Sequence, residues 1–557
     1  VQDLIAARFE EGLAHHRQDR FAEAQAAYGE VLTADPGHAD AWRLMSLLAE
    51  RFGRPDLAQD WAGKARALEP SEVHHLFGEG VALQQIGRLA EAEARYRQVV
   101  ALAPDALEAN NNLGLILTRL NRDAEALAFF RRAVELSPGS PVFHYNLGVA
   151  LTNLDRHAEA ETSFRAATIV DPQHVGARHN LGKSLRAQGR LDEAGHALQE
   201  ALRLKQDDPR ILNDMGVLLG DLGRVADAEM VYRTGLSLES EDADLHHNLG
   251  LLLLKTGQHR EGWPEFHWRW KTDDPPHRRI VAKPEWDGSP LPGGRLLISA
   301  EQGLGDILQF CRLAPLAAAR LGPDAKVTLE VYGPLASLLR GQWPDVEVIT
   351  QDAPLPAVDA QIPLISLAGV LDQTHQTIDG APYLRPDPER AAAWAERLAP
   401  LKGLKVGLVW AGGQFIGAAT DRRRSVTLAA LAPLAAVPGV SFVSLQKDAP
   451  AAQAKSPPDG LALLDLNDDL TSFVETAAVV ANLDLVISVD TAVAHLAGAI
   501  GTPVWLLNRF DTCWRWELER EDTPWYTGLR QFRQPAYGDW ASVVAAVATA
   551  LAERAGE

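Results

Sequence analysis

Gly80, Gly114, Gly148, Gly182, Gly216 and Gly250 stand 34 residues apart, and Pro36, Pro70, Pro104, Pro138 and Pro172 repeat at the same interval. A unit of that length makes one helical hairpin, too small to bury its apolar face alone. Consecutive units must therefore stack and share a core, and the first half of the chain reads as a solenoid built to hold a partner.

The unit from Leu107 to Pro138 shows how the hairpin closes. Leu113-Gly114 packs the first helix closely on the second, which supplies Ala126, Phe130 and Ala133. The same slots read Gly12, Ala24 and Tyr28 in the first unit and Gly148, Ala160, Phe164 and Ala167 in the fifth. Proline ends each unit because it cannot continue the second helix. Seven units run from about Ile5 to Ser240, and a degenerate eighth extends to about Trp270.

Immediately before the Leu-Gly position stand Asn112, Asn146, Asn180, Asp214 and Asn248, again 34 apart. A carboxamide carries both a donor and an acceptor, so a row of them along an inner groove suits the backbone of an extended guest chain whatever its side chains. The alternative is that these amides bond to backbone within their own hairpins. Four guest pairs at roughly 1 kcal/mol each sum to about 4 kcal/mol, a dissociation constant near millimolar, which fits capture and release.

A net charge of -20 across 557 residues argues against a nucleic-acid or anionic-membrane binder, either of which needs a basic field. Cys311 and Cys513 are far apart and in no metal-type spacing, so neither a disulfide scaffold nor a zinc site is expected. The start Val1-Gln2-Asp3 has no basic segment followed by an apolar core, and no apolar run approaches membrane-spanning length. The expected setting is the reducing cytoplasm.

After Trp263, Phe266, Trp268 and Trp270, which are expected to cap the solenoid, residues 271–294 are rich in Pro, Gly and charge and read as a linker. From Arg295 the pattern becomes short apolar runs alternating with helical stretches: residues 296–299, 327–331, 346–349, 406–410, 442–445, 461–464, 485–488 and 504–507. Such alternation means parallel, doubly wound sheets, and the interruption at 382–404 divides them into two lobes, 295–385 and 386–557. Ligands of such lobes bind at the C-terminal strand ends.

Three segments lie there. In Glu301-Gln302-Gly303-Leu304-Gly305-Asp306, Gly303 and Gly305 let backbone approach a ligand, and Asp306 either caps a helix or serves as a general base. Trp410-Ala411-Gly412-Gly413 followed by Asp421-Arg422-Arg423-Arg424 can seat a diphosphate, with Arg424 and Arg422 favoured as its contacts and Lys447 a further candidate. In Ser488 to Gly498, Asp490, Thr491 and Ala492 open a helix whose free amides can receive a phosphate, and His495 shares a face with Thr491, as either a ligand contact or a packed residue.

On Gly303-Leu304-Gly305-Asp306 and Asp490-Thr491 through His495-Leu496-Ala497-Gly498, the second half resembles a GT-B glycosyltransferase and is similar to the ADP-heptose:lipopolysaccharide heptosyltransferase family. With its 34-residue array, a tetratricopeptide (TPR) solenoid, the whole resembles protein O-GlcNAc transferases and bacterial TPR-containing flagellin glycosyltransferases. The resemblance implies two Rossmann-like lobes, Asp306 as base, a nucleotide-sugar donor held by the second lobe, inversion at the anomeric carbon, and no bound metal or other cofactor. The lone Asp-x-Asp, Asp242-Ala243-Asp244, falls in a solenoid loop, which agrees with the last point. It also implies acceptor polypeptide on the amide ladder. Relatives often carry His or Lys where this chain has Gln414 to Thr420, so donor identity stays open between UDP-GlcNAc and a CMP-linked nonulosonic acid.

The expected activity is transfer of a sugar to Ser or Thr of a captured protein, flagellin foremost. The alternatives are a TPR adaptor or export chaperone with a degenerate transferase half, and a transferase acting on a glycan or lipid. Oligomeric state is left open.

Overall fold

The computed structural model describes residues 2–68, 71–277, 279, 281–413 and 423–556. Pro70, Arg422 and the stretch Gln414–Thr420 lie outside the described residues. The chain divides into two compact units, 1–206 and 207–557.

In the first unit the described residues form twelve helices paired as six hairpins, from Gln2–Arg17 with Phe21–Ala34 to Val175–Ala187 with Leu191–Leu204. All but the second hairpin close on a glycine in the same slot. A Cβ added at Gly80, Gly114 or Gly148 would come within 2.7 Å of Tyr96, 2.6 Å of Phe130 or 2.5 Å of Phe164, an aromatic sixteen residues further on. The missing side chain is the seat of the ring. Arg122, Arg156 and Arg190, one per repeat, each pair with a Glu three residues on, while Arg97–Glu125 and Arg165–Glu193 link adjacent hairpins. These pairs are exposed, so they fix register more than they add stability.

The second unit opens with two more hairpins, Pro209–Asp221 with Val225–Leu238 and Ala243–Lys255 with His259–His267. Two sheets follow, parallel in every pairing. The first contains β1 (Arg295–Ser299), β2 (Lys326–Val331), β3 (Val346–Thr350) and β4 (Ala360–Pro363) in the order β3-β2-β1-β4. The second contains β5 (Leu404–Val409), β6 (Val440–Ser444), β7 (Leu463–Asp465), β8 (Leu485–Val489), β9 (Val504–Asn508) and β10 (Leu529–Arg533) in the order β10-β9-β8-β5-β6-β7. This is the expected architecture of a TPR-like solenoid followed by Rossmann-like α/β lobes.

β4 and β10 add to the eight strands read from sequence. β4 completes the first sheet beside β1, and the chain at 284–286 bonds along it, with Trp286 N–H donating to Gln361 O at 2.9 Å. Strand order reverses between β1 and β4 in one sheet and between β8 and β5 in the other. Crevices open at such switch points, at the C-terminal strand ends.

The aromatic cluster does more than cap the solenoid. Trp268 stacks on His246 at 4.0 Å within the last hairpin. Trp263 and Phe266 instead enter the core of the lobes, Trp263 edge-on to Phe310 and Trp514 and donating its indole N–H to Gln373 O at 2.8 Å. The last hairpin is thus built into the α/β half, because its apolar face is completed by both lobes.

Candidate active site

At the end of β1 the chain passes through buried Glu301 and Gln302 (φ 59°) into the helix Leu304–Phe310. A left-handed φ at a non-glycine residue costs energy and marks a shaped turn. Asp306 closes that turn: one carboxylate oxygen accepts from Gly303 N–H at 2.8 Å. The other pairs with the guanidinium of Arg515, which also donates to Gln302 Oε1 at 3.2 Å and lies over Trp514. Asp306 therefore caps the helix, the first of its two expected roles, and its other oxygen is held by Arg515. Arg515 is buried. Burial works against its charge, but Asp306, Cys513 and Asp490 offset this and hold it firmly protonated.

Packed beside this turn, β8 ends at Val489 and the helix Ala492–Ile500 follows. Gly305 packs against this helix, since a Cβ there would lie 2.8 Å from His495 Cδ2. His495 is buried, stacked on Trp516 at 5.0 Å, and shares a 2.9 Å hydrogen bond between Nδ1 and the Tyr526 hydroxyl. Burial pulls its pKa down to about 4, against the pull of Asp490, whose carboxylate lies 3.8 Å from Nε2. The ring is neutral at physiological pH. Thr491 shares a 3.0 Å hydrogen bond with Ser488 Oγ, and Ala492, which begins the helix, is partly exposed.

Arg424 spans the β5–β8 switch. Its guanidinium donates to Asp490 O at 2.9 Å and Gly413 O at 3.1 Å, and it lies so close that a Cβ on Gly412 would fall 2.3 Å from Nε. Gly412 N–H donates to Ser425 Oγ at 3.0 Å. Lys447 is exposed and donates to Asn467 O at 2.7 Å, a separate attachment beyond β6.

The structure thus gathers Gly303, Gly305, Asp306, Asp490, Thr491, His495 and Arg424 around the ends of β1, β5 and β8. It also adds cations that sequence reasoning missed. Arg515 is one. Beyond β9, Arg423 (2.9 Å) and Arg509 (3.3 Å) both pair with Asp511, whose backbone oxygen accepts from Lys255 of the last hairpin at 3.1 Å. Burial lowers the Lys255 pKa despite the nearby carboxylates Asp511 and Asp221. Two guanidiniums converge on one carboxylate, leaving local positive charge that an anionic ligand can use.

The amide ladder is partly engaged. Asn146 donates to Asn111 Oδ1 (2.8 Å) and Asn180 to the Tyr145 hydroxyl (3.2 Å), each one repeat back, while Asn180 also reaches Gly176 O (3.1 Å) in its own helix. Asn112 donates to the Tyr96 hydroxyl at 3.4 Å. In the second unit Asn248 donates to Asn213 Oδ1 (2.8 Å), and Asp214 occupies the equivalent slot with a partner of its own. All five are partly exposed.

The chain is a TPR-linked, glycosyltransferase-like protein. Residues 9–72 match a tetratricopeptide repeat model, residues 71–266 the cilia and flagella-associated protein 70 C-terminal domain, and residues 466–507 glycosyltransferase family 9 (heptosyltransferase). The last match spans β8, β9 and the helix carrying His495. Protein FlbA of Caulobacter vibrioides is 34% identical over 328 residues, 54% of this chain and 53% of that one. The chain spans about half the length of this curated relative. Among solved structures, the MamA protein is similar at 20% identity and TM-score 0.29, over 31% of this chain and 93% of that one. YrrB, described as a TPR protein with an unusual peptide-binding site, is similar at 22% identity and TM-score 0.27, over 33% and 96%. TPR solenoids are protein-interaction domains, consistent with a protein partner. Among the described residues no helix is long and apolar enough to cross a membrane.

Proposed function

We propose that this protein is an inverting O-glycosyltransferase that moves a sugar from a nucleotide-sugar to Ser or Thr of a protein captured by its repeats, with flagellin the first acceptor to try. The observation that carries the reading is the meeting of Asp306 and Arg515 opposite the helix that begins at Ala492, at the strand ends where a doubly wound fold takes its ligands.

In the proposed reaction the donor's phosphate lies against the Ala492 helix start and draws Arg515 off Asp306, so a guanidinium that neutralises the carboxylate in the free protein neutralises the leaving group in the complex. The freed carboxylate accepts the hydroxyl proton as the acceptor oxygen bonds to the anomeric carbon. The bond from that carbon to the phosphate oxygen breaks with inversion, and the nucleotide leaves with its electron pair. Arg424 and, in the undescribed segment, Arg422 are assigned to the phosphates, with Lys447 as an outer contact. Donor candidates are UDP-GlcNAc and a CMP-linked nonulosonic acid, with no metal or other cofactor assigned to the chemistry. The repeats raise the local concentration of acceptor, and the cytoplasm supplies both substrates.

A second reading is favoured by one observation: both carboxylate oxygens of Asp306 are occupied, by Gly303 N–H and Arg515. A locked carboxylate suits an adaptor whose transferase half no longer turns over. Intact-mass spectrometry of acceptor co-expressed with the wild type or with Asp306→Asn separates the two. A mass increment made by the wild type and lost in the variant supports transfer and gives the sugar. Unmodified acceptor that co-purifies with both proteins overturns it in favour of the adaptor.

A further inference from the structure

His259, His375 and Glu517 are far apart in sequence, so no local spacing joins them, yet their donor atoms lie within 4.8 Å of one another. His259 opens the last solenoid helix, His375 lies in the loop after the first sheet, and Glu517 follows the Trp514–Trp516 turn of the second lobe. Glu517 Oε1 is 3.5 Å from His259 Nε2 and 3.5 Å from His375 Nδ1. The separation between ligand atoms around a tetrahedral zinc is about 3.4 Å, given metal–nitrogen and metal–oxygen lengths near 2.0–2.1 Å.

From these three residues we infer a binding site for one divalent transition cation of borderline softness, zinc foremost, held by two imidazoles and a carboxylate with a fourth position left for water.

Chemistry and burial both support it. Glu517 is 5% exposed, and its Oε1 accepts no hydrogen bond among the described residues, an expensive state for a buried carboxylate oxygen. Two imidazoles face that same oxygen. Imidazole is the commonest side-chain ligand of such a cation. Glu517 holds this place with a left-handed φ of 54° at a non-glycine residue. The His375 ring fits because Gly257 is bare: a Cβ there would fall 2.3 Å from Nε2.

His375 and Arg520 also line a cavity of about 630 Å³, which gives the ion an entry path. Arg520 is the opposing group. It donates to His375 Nδ1 at 3.2 Å and reaches Glu517 Oε2 at 3.4 Å, but its strongest tie is to Asp522 at 2.6 Å. Loading the site requires Arg520 to leave the imidazole and keep Asp522. The ion would then staple the solenoid end to both lobes and fix the turn that presents Arg515 to Asp306. It is a structural and positioning site, apart from the group-transfer step.

The test uses the purified full chain, stripped with a chelator and titrated with Co²⁺, then with Zn²⁺ in competition. One equivalent bound with the visible spectrum of tetrahedral cobalt is expected. His375→Ala, in a half-exposed position whose loss leaves the core intact, should weaken binding by more than about 100-fold, since losing even an outer partner of a ligand costs 10–100-fold. Glu517→Gln should do the same, and Arg520→Ala should bind at least as tightly as the wild type. No binding below millimolar Co²⁺, or equal binding by His375→Ala, overturns the site. The readout needs no sugar donor, so it stands or falls apart from the proposed reaction.

Discussion

Arg269 and Glu301 form a two-pronged ion pair, 2.9 Å from Nε and 2.8 Å from Nη2, with 1% and 0% of their side chains exposed. Further hydrogen bonds hold the pair: Arg269 also donates to Phe266 O and Ser366 Oγ, and Glu301 accepts from Ile365 N–H at 2.9 Å. The pair joins the end of the last solenoid hairpin to the residue that begins the Glu301–Asp306 turn. Its net stabilisation is small, because two charges have been taken from water, but breaking it strands one of them. Arg269→Ala is expected to destabilise the second unit by about 3–5 kcal/mol, read by urea denaturation followed by tryptophan fluorescence. Arg269→Met combined with Glu301→Leu should recover most of that loss. Equal destabilisation by the single and double variants would show that packing rather than charge is at stake.

The repeats contain their own control for the glycine–aromatic contact. In the second hairpin the glycine slot holds Ser46, and the residue sixteen further on is Ala62 rather than an aromatic. Ser46 Oγ donates to Ala58 O at 2.8 Å, filling the space a ring takes elsewhere. Gly114→Ser should therefore cost about 1–3 kcal/mol of first-unit stability by forcing Phe130 aside, and Gly114→Ser with Phe130→Ala should cost less than the sum of the two singles. Additive costs in thermal denaturation would refute the coupling.

What the sequence disclosed follows from what is contiguous. The 34-residue period specified the hairpins because each repeat is stabilised by its neighbours, and Gly303–Asp306 and Asp490–His495 were legible because a strand end, a turn and a helix start are consecutive. β4 escaped notice because Ala360–Pro363 is short and ends in proline, and β10 because Leu529–Arg533 alternates charge on an edge. Arg515, Arg509 and Lys255 were missed for a different reason. Each is a single cation in its own stretch, and only tertiary folding brings it to the site. The Trp514-Arg515-Trp516 triplet was the available signal, an arginine flanked in sequence by two tryptophans.

His495 makes stability depend on pH in a predictable direction. Unfolded, it takes its proton near 6.5; folded, burial delays this to about 4. Between those values the unfolded chain holds the extra proton, so stability falls as pH drops from about 6.5 to about 4, with no further loss below and no contribution above. Asp490, Asp306, Arg515 and Arg424 face the ring, and Tyr526 bonds to it. His16 and His247, lowered to about 4 by burial, act in the same window. In His495→Gln the dependence of unfolding free energy on pH across that interval should flatten by one proton. An unchanged slope would mean that His495 titrates normally in the fold.

The amide row can be tested for two roles separately. Within the first unit, Asn146 is bonded to Asn111 and Asn180 to Tyr145, so each amide ties its repeat to the preceding one and still leaves part of its hydrogen-bonding capacity free. If the row only joins repeats, Asn146→Ala should lower first-unit stability by about 1 kcal/mol, the net value of one neutral hydrogen bond, and acceptor affinity should follow stability alone. If the row also grips a guest backbone, Asn112→Ala, whose own bond to Tyr96 is long at 3.4 Å, should weaken acceptor binding about fivefold while barely moving the melting temperature. The decisive comparison is Asn112→Ala against Asn146→Ala, with acceptor binding and thermal denaturation measured on the same samples. Affinity that drops without stability in the first variant assigns the row to the guest. Affinity unchanged in both assigns it to the solenoid itself, and the acceptor must then be held elsewhere.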